Sequence, residues 1–253
     1  MRIIPINLNG DFSEALYETL AVLKKGGVVV FPTDTVYGIG ANACDWYAVE
    51  QIFKIKRRPL AKPISVLARN MNWVKEIAFV PPKLEKVLEE IWPGAITVIL
   101  PKKKVIPAIV TANKKNVGIR IPSHAFTDKL LGKFGYPIAA TSANISGEGT
   151  PVGIGEIIAA FRSEIWRPDL ILDAGVLPTS EPSTVLDMTT IRPKITRVGP
   201  TKPEQLMKLL GMQNDKRIDK KRSGEAEASN KSRAIGKLRV KKCFGGFGLA
   251  SDQ

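Results

Sequence analysis

Four short segments of the 253-residue chain gather hydroxyls, amides and cations where an apolar run has just ended. The first is Pro32-Thr33-Asp34-Thr35-Val36-Tyr37-Gly38. It sends two hydroxyls and a carboxylate out of the apolar run 28–31, offers an aromatic face at Tyr37, and has Gly38 and Gly40 where a backbone can approach a ligand closely. The second, Lys54-Ile55-Lys56-Arg57-Arg58-Pro59-Leu60-Ala61-Lys62-Pro63, concentrates like charge in a loop stiffened by two prolines. Such a loop suits an anion, because a stiff segment loses less entropy when it orders round a phosphate. Read alone, it is equally a solvated, basic helix end. The third, Val117-Gly118-Ile119-Arg120-Ile121-Pro122, buries one arginine in an apolar strand, so Arg120 needs an anionic partner from a ligand or from the protein itself. The fourth, Ala139-Ala140-Thr141-Ser142-Ala143-Asn144-Ile145-Ser146-Gly147, sets small polar residues after a strand, either as a plain turn or as a loop closing on a ligand.

Composition narrows the chemistry. Cys44 and Cys243 are far apart and His124 is the sole histidine, which gives neither a disulfide framework nor a zinc pattern. His124 has no nucleophile-elbow motif to serve. No Gly-x-x-x-x-Gly-Lys-Ser/Thr loop or complete Gly-x-Gly-x-x-Gly is present, so any use of ATP is of another kind. The net charge of +14 points to an anionic partner, a nucleotide, RNA or both. Residues 211–253 hold 11 Lys/Arg against 5 Asp/Glu, so part of that excess belongs to the end of the chain. No apolar run reaches the roughly 18 residues that span a bilayer. Residues 1–5 lack the long apolar stretch of a secretory signal, and a cytoplasmic location without membrane contact is expected.

The elements that must hold the four segments follow from periodicity. Residues 11–25 read as an amphipathic helix, with Asp11 and Glu14 as a capping box. Asp45 caps a second helix through about Lys56, with Val49, Ile52 and Phe53 inward. Further helices are expected at 82–91, 124–131, 153–161 and 202–210. Strands are expected at 28–31, 64–67, 95–100, 117–121, 138–141, 170–172, 184–188 and 195–198. Helices and strands intermingle, which predicts an α/β class with a mixed sheet. The pattern fails after Gly211. Residues 1–210 are expected to form one domain, and 211–253 a basic, flexible linker or tail.

In their order along the chain, these segments resemble the YrdC family of L-threonylcarbamoyladenylate synthases. The resemblance rests on Lys25-Gly26-Gly27 leading into Phe31–Gly38, then Lys56-Arg57-Arg58-Pro59, Lys62-Pro63-Ile64-Ser65-Val66 and Trp92-Pro93-Gly94. It continues through Gly118–Pro122, Thr141–Gly147, Pro182-Ser183-Thr184-Val185-Leu186-Asp187 and Arg197-Val198-Gly199, and so covers about residues 10–200. It implies a twisted mixed sheet with flanking helices enclosing a basic cavity. It implies that Lys56 and Arg58 bind the phosphates of ATP and carry the catalysis, with Ser142, Asn144 and Arg197 also at the nucleotide. Thr35, Ser65, Arg120, Thr141 and Ser183 would hold L-threonine, Arg120 through the carboxylate. Bicarbonate is the third substrate and Mg²⁺ would accompany ATP. The product would be threonylcarbamoyl-AMP, consumed by a downstream tRNA threonylcarbamoyltransferase. The longer members carry a second globular domain, which is expected to be absent here.

Two other readings stand beside this one. A basic concave surface also suits an RNA-binding or ribosome-associated module, although the sequence lacks a known RNA-binding motif and interleaved exposed aromatics. A carbamoyl-transfer enzyme of hydrogenase maturation contains a related domain, but with zinc-finger and acylphosphatase segments that have no counterpart here.

Overall fold

A computed structural model describes residues 1–151, 153–178, 181–190 and 192–210. The linker or tail expected at 211–253 lies outside the described residues. Ten strands form one mixed sheet: β1 (Arg2–Pro5), β2 (Val29–Phe31), β3 (Gly38–Asn42), β4 (Ser65–Leu67), β5 (Ile96–Pro101), β6 (Asn116–Arg120), β7 (Ile138–Ser142), β8 (Leu170–Asp173), β9 (Thr184–Asp187) and β10 (Lys194–Arg197). Their order across the sheet is β1-β8-β2-β3-β7-β4-β6-β5-β9-β10. Among the described residues seven helices flank it: α1 (Ser13–Lys24), α2 (Trp46–Ile55), α3 (Met71–Ile77), α4 (Pro82–Ile91), α5 (Ala125–Phe134), α6 (Ile154–Arg162) and α7 (Pro203–Leu209). Among the described residues no helix is long and apolar enough to cross a membrane.

The two halves of the sheet are covered differently. Val29, Val30 and Phe31 of β2 and Leu170, Ile171 and Leu172 of β8 are all fully buried, as expected where both faces are packed. Beyond β7 the strands alternate between a core face and a cavity face. Val66, Val98, Val117, Ile119 and Leu186 enter the hydrophobic core, together with Leu88 and Ile91 of α4 and Val74 and Ile77 of α3. Their neighbours along each strand point to the opposite face, and that face is where the polar residues of the four segments gather.

Three elements were not expected. β1 is a mostly exposed strand at the sheet's edge and carries little hydrophobic signal. α3 has only seven residues, although Asn70 caps it by accepting from the Trp73 N–H at 3.1 Å. β3, Gly-Ile-Gly-Ala-Asn, has a composition that disfavours strands. Its Gly40 has a packing reason rather than a ligand. A Cβ there would lie 2.7 Å from Ile138 Cγ2 and 2.9 Å from the Ala139 carbonyl oxygen, so only glycine lets β3 lie against β7. The capping box expected for α1 is also replaced. Asp11 accepts from the N–H and the hydroxyl of Ser13, a local turn before the helix, and the N-cap position is Phe12.

Gly40→Ala therefore overpacks the β3–β7 seam. It is expected to lower the unfolding free energy by about 1–3 kcal/mol, measured by urea titration followed by circular dichroism. An unchanged midpoint would show that the seam has slack.

Candidate active site

The alternation beyond β7 builds the floor of a cavity of about 460 Å³. Ser65 and Leu67 of β4, Asn116, Gly118 and Arg120 of β6, and Thr97 and Ile99 of β5 all face it at period two. One wall is the β2–β3 turn with Thr33 and Thr35, and another is the end of β7 with Thr141 and Ser142. Arg58, Ser183 and Arg197 close the remaining sides. Eight of the ten residues expected from the sequence line this one space, and the exceptions are Lys56 and Asn144.

Arg120 is buried and its guanidinium joins two loops. Nη2 donates to Asp34 Oδ1 at 2.7 Å, Nη1 to Thr35 Oγ1 at 2.8 Å and Nε to the Gly94 carbonyl at 2.9 Å. The other Asp34 oxygen accepts from the Ser123 N–H at 3.0 Å. The partner that Arg120 needed is thus supplied by the protein. Three of its five N–H donors are taken, and two remain for a ligand carboxylate. Burial pulls its pKa below the ordinary guanidinium value, and Asp34 opposes this through charge and hydrogen bond.

Arg58 and Arg197 differ, because neither has a carboxylate partner among the described residues. Arg58 donates through Nε to the Lys62 carbonyl and through Nη2 to the Pro63 carbonyl, at 3.1 and 2.7 Å. Arg197 donates to the Ser183 carbonyl and hydroxyl at 2.9 and 3.2 Å. The Ser183 hydroxyl also pairs with Thr97 Oγ1 at 2.8 Å. Burial lowers the pKa of both arginines. The next cause is Arg197 for Arg58, and Arg120 for Arg197, so the three guanidiniums feel one another. Two unneutralised cations facing one hollow, with Lys114 on the same wall, make a site for an anion with more than one negative centre.

Lys56 corrects the expectation of a phosphate contact. It is 1% exposed, and its ammonium donates to the Ser142 carbonyl at 2.6 Å, the Asn144 carbonyl at 2.5 Å and Asn144 Oδ1 at 2.9 Å. Its own carbonyl accepts from the Ser146 N–H at 2.8 Å. Lys56 therefore clamps the Ser142–Asn144 turn to the end of α2. Asn144 belongs to the same clamp. Its Oδ1 also accepts from the Ser142 hydroxyl at 2.7 Å, and its Nδ2 donates to the Glu148 carbonyl at 2.8 Å. The signal was in the sequence: Val49, Ile52, Phe53 and Lys56 are spaced i, i+3, i+4, i+7, so position 56 falls on the buried stripe of α2. Arg57 then takes a left-handed backbone, φ 50°, and the chain turns so that Arg58 reaches the cavity.

Tyr37 does not offer its ring to a ligand either. It is 1% exposed, donates to the Gly175 carbonyl and accepts from the Ala174 N–H, both at 2.9 Å, and burial raises its pKa to about 12. His124 caps α5, with Nδ1 accepting from the Thr127 N–H at 3.4 Å. It lies on a separate recess of about 320 Å³ behind the Thr33–Thr35 turn. The residues the sequence reading missed are Asp34 as the partner of Arg120, and Thr97, whose burial in β5 brings its hydroxyl to Ser183.

Burial, and then the charge of Arg58, push the Lys56 ammonium down to about 7 from 10.5. The unfolded chain therefore binds the extra proton between about pH 7 and 10, and the unfolding free energy rises with pH across that window. Lys56→Met is expected to lower the urea midpoint at pH 7, because it strands three oxygens, and to lack the rise that the wild type shows from pH 7 to 9. Equal slopes in the two proteins would remove Lys56 as the titrating group.

The geometry agrees with comparison to known proteins. The Sua5/YciO/YrdC family model, described as Telomere recombination, matches residues 21–199. The threonylcarbamoyl-AMP synthase of Pyrococcus abyssi is 36% identical over 190 residues, which are 75% of this chain and 55% of that protein. The chain thus spans little more than half the length of that relative. A putative threonylcarbamoyl-AMP synthase of Methanocaldococcus jannaschii is 38% identical over 173 residues, 67% of this chain and 80% of that protein. The crystal structure of P. abyssi Sua5 complexed with L-threonine superposes with a TM-score of 0.78 at 32% identity, covering 83% of this chain and 61% of that one. Sequence and fold agree: this chain belongs to the Sua5/YciO/YrdC family.

Proposed function

We propose that this domain is an L-threonylcarbamoyladenylate synthase, a nucleotidyltransferase that forms threonylcarbamoyl-AMP and pyrophosphate from ATP, L-threonine and bicarbonate. The observation that carries the proposal is the pair of carboxylate-free arginines, Arg58 and Arg197, on the same hollow as the hydroxyl-rich wall around Arg120. The first pair suits a triphosphate. The second suits an amino acid, with the two remaining Arg120 donors for its carboxylate. The relatives named threonylcarbamoyl-AMP synthase, and the neighbour solved with L-threonine, support the same choice.

In this reading the threonine amine attacks the carbon of bicarbonate, water leaves, and an N-carboxythreonine carbamate forms. A carbamate oxygen then attacks the α-phosphorus of ATP. The bond to the β,γ-phosphates breaks and pyrophosphate departs with the electron pair. Arg58, Arg197 and Lys114 neutralise charge that moves onto the leaving pyrophosphate, and Arg120 with Thr35 fixes the amino acid for in-line attack. Lys56 and Asn144 act one step back, by holding the Ser142 turn in place. Mg²⁺ would accompany ATP and add to the neutralisation of phosphate charge. Asp187, which already accepts from Thr189, is the carboxylate on the cavity wall that would stand near such a complex. The mixed anhydride passes to a downstream tRNA threonylcarbamoyltransferase that modifies tRNA adenosine, in the cytoplasm.

An RNA-binding module is less well supported. The cations are recessed in a hollow of about 460 Å³, which admits a nucleotide and excludes a duplex backbone.

Mass spectrometry after incubation with ATP, Mg²⁺, bicarbonate and threonine should show threonylcarbamoyl-AMP, and its absence with active, folded protein would overturn the proposal. By isothermal titration, Arg58→Ala should weaken ATP by about 10- to 100-fold, the worth of a charge-assisted contact, and leave threonine binding near the wild-type value. Loss of threonine affinity alone would reverse the assignment of the two ends.

A further inference from the structure

From Ile91 to Thr127 the sequence has no acidic residue, and five lysines fall there, Lys102, Lys103, Lys104, Lys114 and Lys115. The register of β5 against β6 brings the two runs together. Pro101 is paired with Asn116, and the Lys102 N–H donates to the Lys115 carbonyl at 2.9 Å. Lys102 and Lys103 turn back onto the Ile106 and Lys75 carbonyls, whereas Lys104, Lys114 and Lys115 are exposed. None of the five forms an ion pair among the described residues. Lys114 is on the cavity wall, so the ridge begins at the mouth and runs outward.

The backbone that presents Lys114 is strained. Ala112 and Asn113 are consecutive left-handed residues, φ 51° and 61°, and with Arg57 they are the only non-glycine residues of that kind among the described residues. Both places directly precede a cation of the cavity wall, Arg58 in one case and Lys114 in the other. The fully buried Thr111 holds the loop, with its hydroxyl 3.3 and 3.1 Å from the Ala108 and Lys114 carbonyls. The same loop is tied to the anchor of Arg58. The Ile64 N–H donates to the Val110 carbonyl at 2.8 Å, and Arg58 donates to the neighbouring Pro63 carbonyl.

We propose that Lys104, Lys114 and Lys115 form a cationic ramp that captures the triphosphate of ATP outside the mouth and guides it inward to Arg58. The inference rests on the ATP reading above. Exposed lysines hold an anion weakly, because water and salt screen them, but their summed field reaches beyond contact and raises the rate of encounter. An ammonium is a hydrated point charge without the fork of a guanidinium, which suits a contact that must be released. Arg58 and Arg197, inside the hollow, supply the grip. Single-stranded RNA would ask instead for exposed rings on which bases stack. The ring beside the ridge, Phe79, has the Lys103 ammonium over it, 5.5 Å from the centroid.

The test is stopped-flow binding of a fluorescent N-methylanthraniloyl ATP to the full chain, with the association and dissociation rates measured separately. Lys104 and Lys115 do not line the cavity, and both are exposed, so their exchange for glutamine leaves the fold and the inner contacts in place. The double variant Lys104→Gln/Lys115→Gln should lower the association rate by roughly 3- to 10-fold at low salt and leave the dissociation rate near the wild-type value. At about 1 M salt, where the screening length falls to about 3 Å, the two proteins should associate at the same rate. The control is Lys83→Gln/Lys86→Gln, which removes the same charge from exposed positions on α4, a helix packed on the core face of the sheet. It should associate as the wild type does. An equal loss in both double variants, which would make net charge the cause, overturns the ramp, and so does an unchanged rate in Lys104→Gln/Lys115→Gln. If that variant loses binding of poly-uridylate while its ATP association rate is unchanged, the ridge is an RNA-docking face and the ramp is overturned. Each of these results leaves the synthase reading intact. Wild-type protein that binds no fluorescent ATP overturns that reading as well.

Discussion

A β-strand turns successive side chains to opposite faces, and the central strands of this protein use that alternation to build a core and a cavity back to back. Val66, Ile119, Val98 and Leu186 are in register across β4, β6, β5 and β9 and are at most 1% exposed. A slip of one residue in β6 would bring Arg120 into that row and Ile119 onto the cavity floor. The hydrophobic effect on one face therefore fixes the positions of the polar groups on the other. No separate device is needed to place Ser65, Thr97, Gly118 and Arg120, because the same register that closes the core presents them together.

The cations of the site fall into two kinds. Arg120 is neutralised by Asp34 and tied to Thr35 and Gly94, so it acts as a junction between β6, the β2–β3 turn and the segment before β5. Removing it would leave the part-buried Asp34 without its counter-charge and destabilise the turn. Arg58 and Arg197 hold only backbone carbonyls and a hydroxyl. Those contacts orient a guanidinium without cancelling its charge, so each keeps an electrostatic demand that a bound polyanion meets. Arg120 is thus tied into the structure through three of its donors, whereas Arg58 and Arg197 keep their charge uncancelled at the hollow.

Much of this was legible in the residues. Strand and helix periods located most elements, and the need of Arg120 for an anionic partner followed from one charge in an apolar strand. The identity of that partner did not, because Asp34 lies 86 positions away in sequence and only the β2–β3 turn brings it near. The direction of Lys56 was misjudged by its company. In a run of five cations it looked like one more phosphate ligand, yet the helical stripe Val49, Ile52, Phe53 puts it inward while Arg58, beyond the helix, turns out. β3 was hidden by its glycines. The close packing of Gly40 against β7 outweighs the low strand propensity of the segment, and a single sequence does not display that contact.

The chemistry proposed for the hollow asks little of protein nucleophiles, and the wall is furnished accordingly with guanidiniums, hydroxyls and a small-residue floor. A guanidinium stays charged through the neutral range, so the field that steadies departing pyrophosphate is set by folding rather than by a titration. The acceleration must then come from how closely amine, carbonate carbon and α-phosphorus are held. That places unusual weight on residues with little side chain. Gly118 and Ala140 both line the cavity, and their small size keeps that part of its wall low. In the proposed reaction, positioning is therefore set by where the central strands leave space.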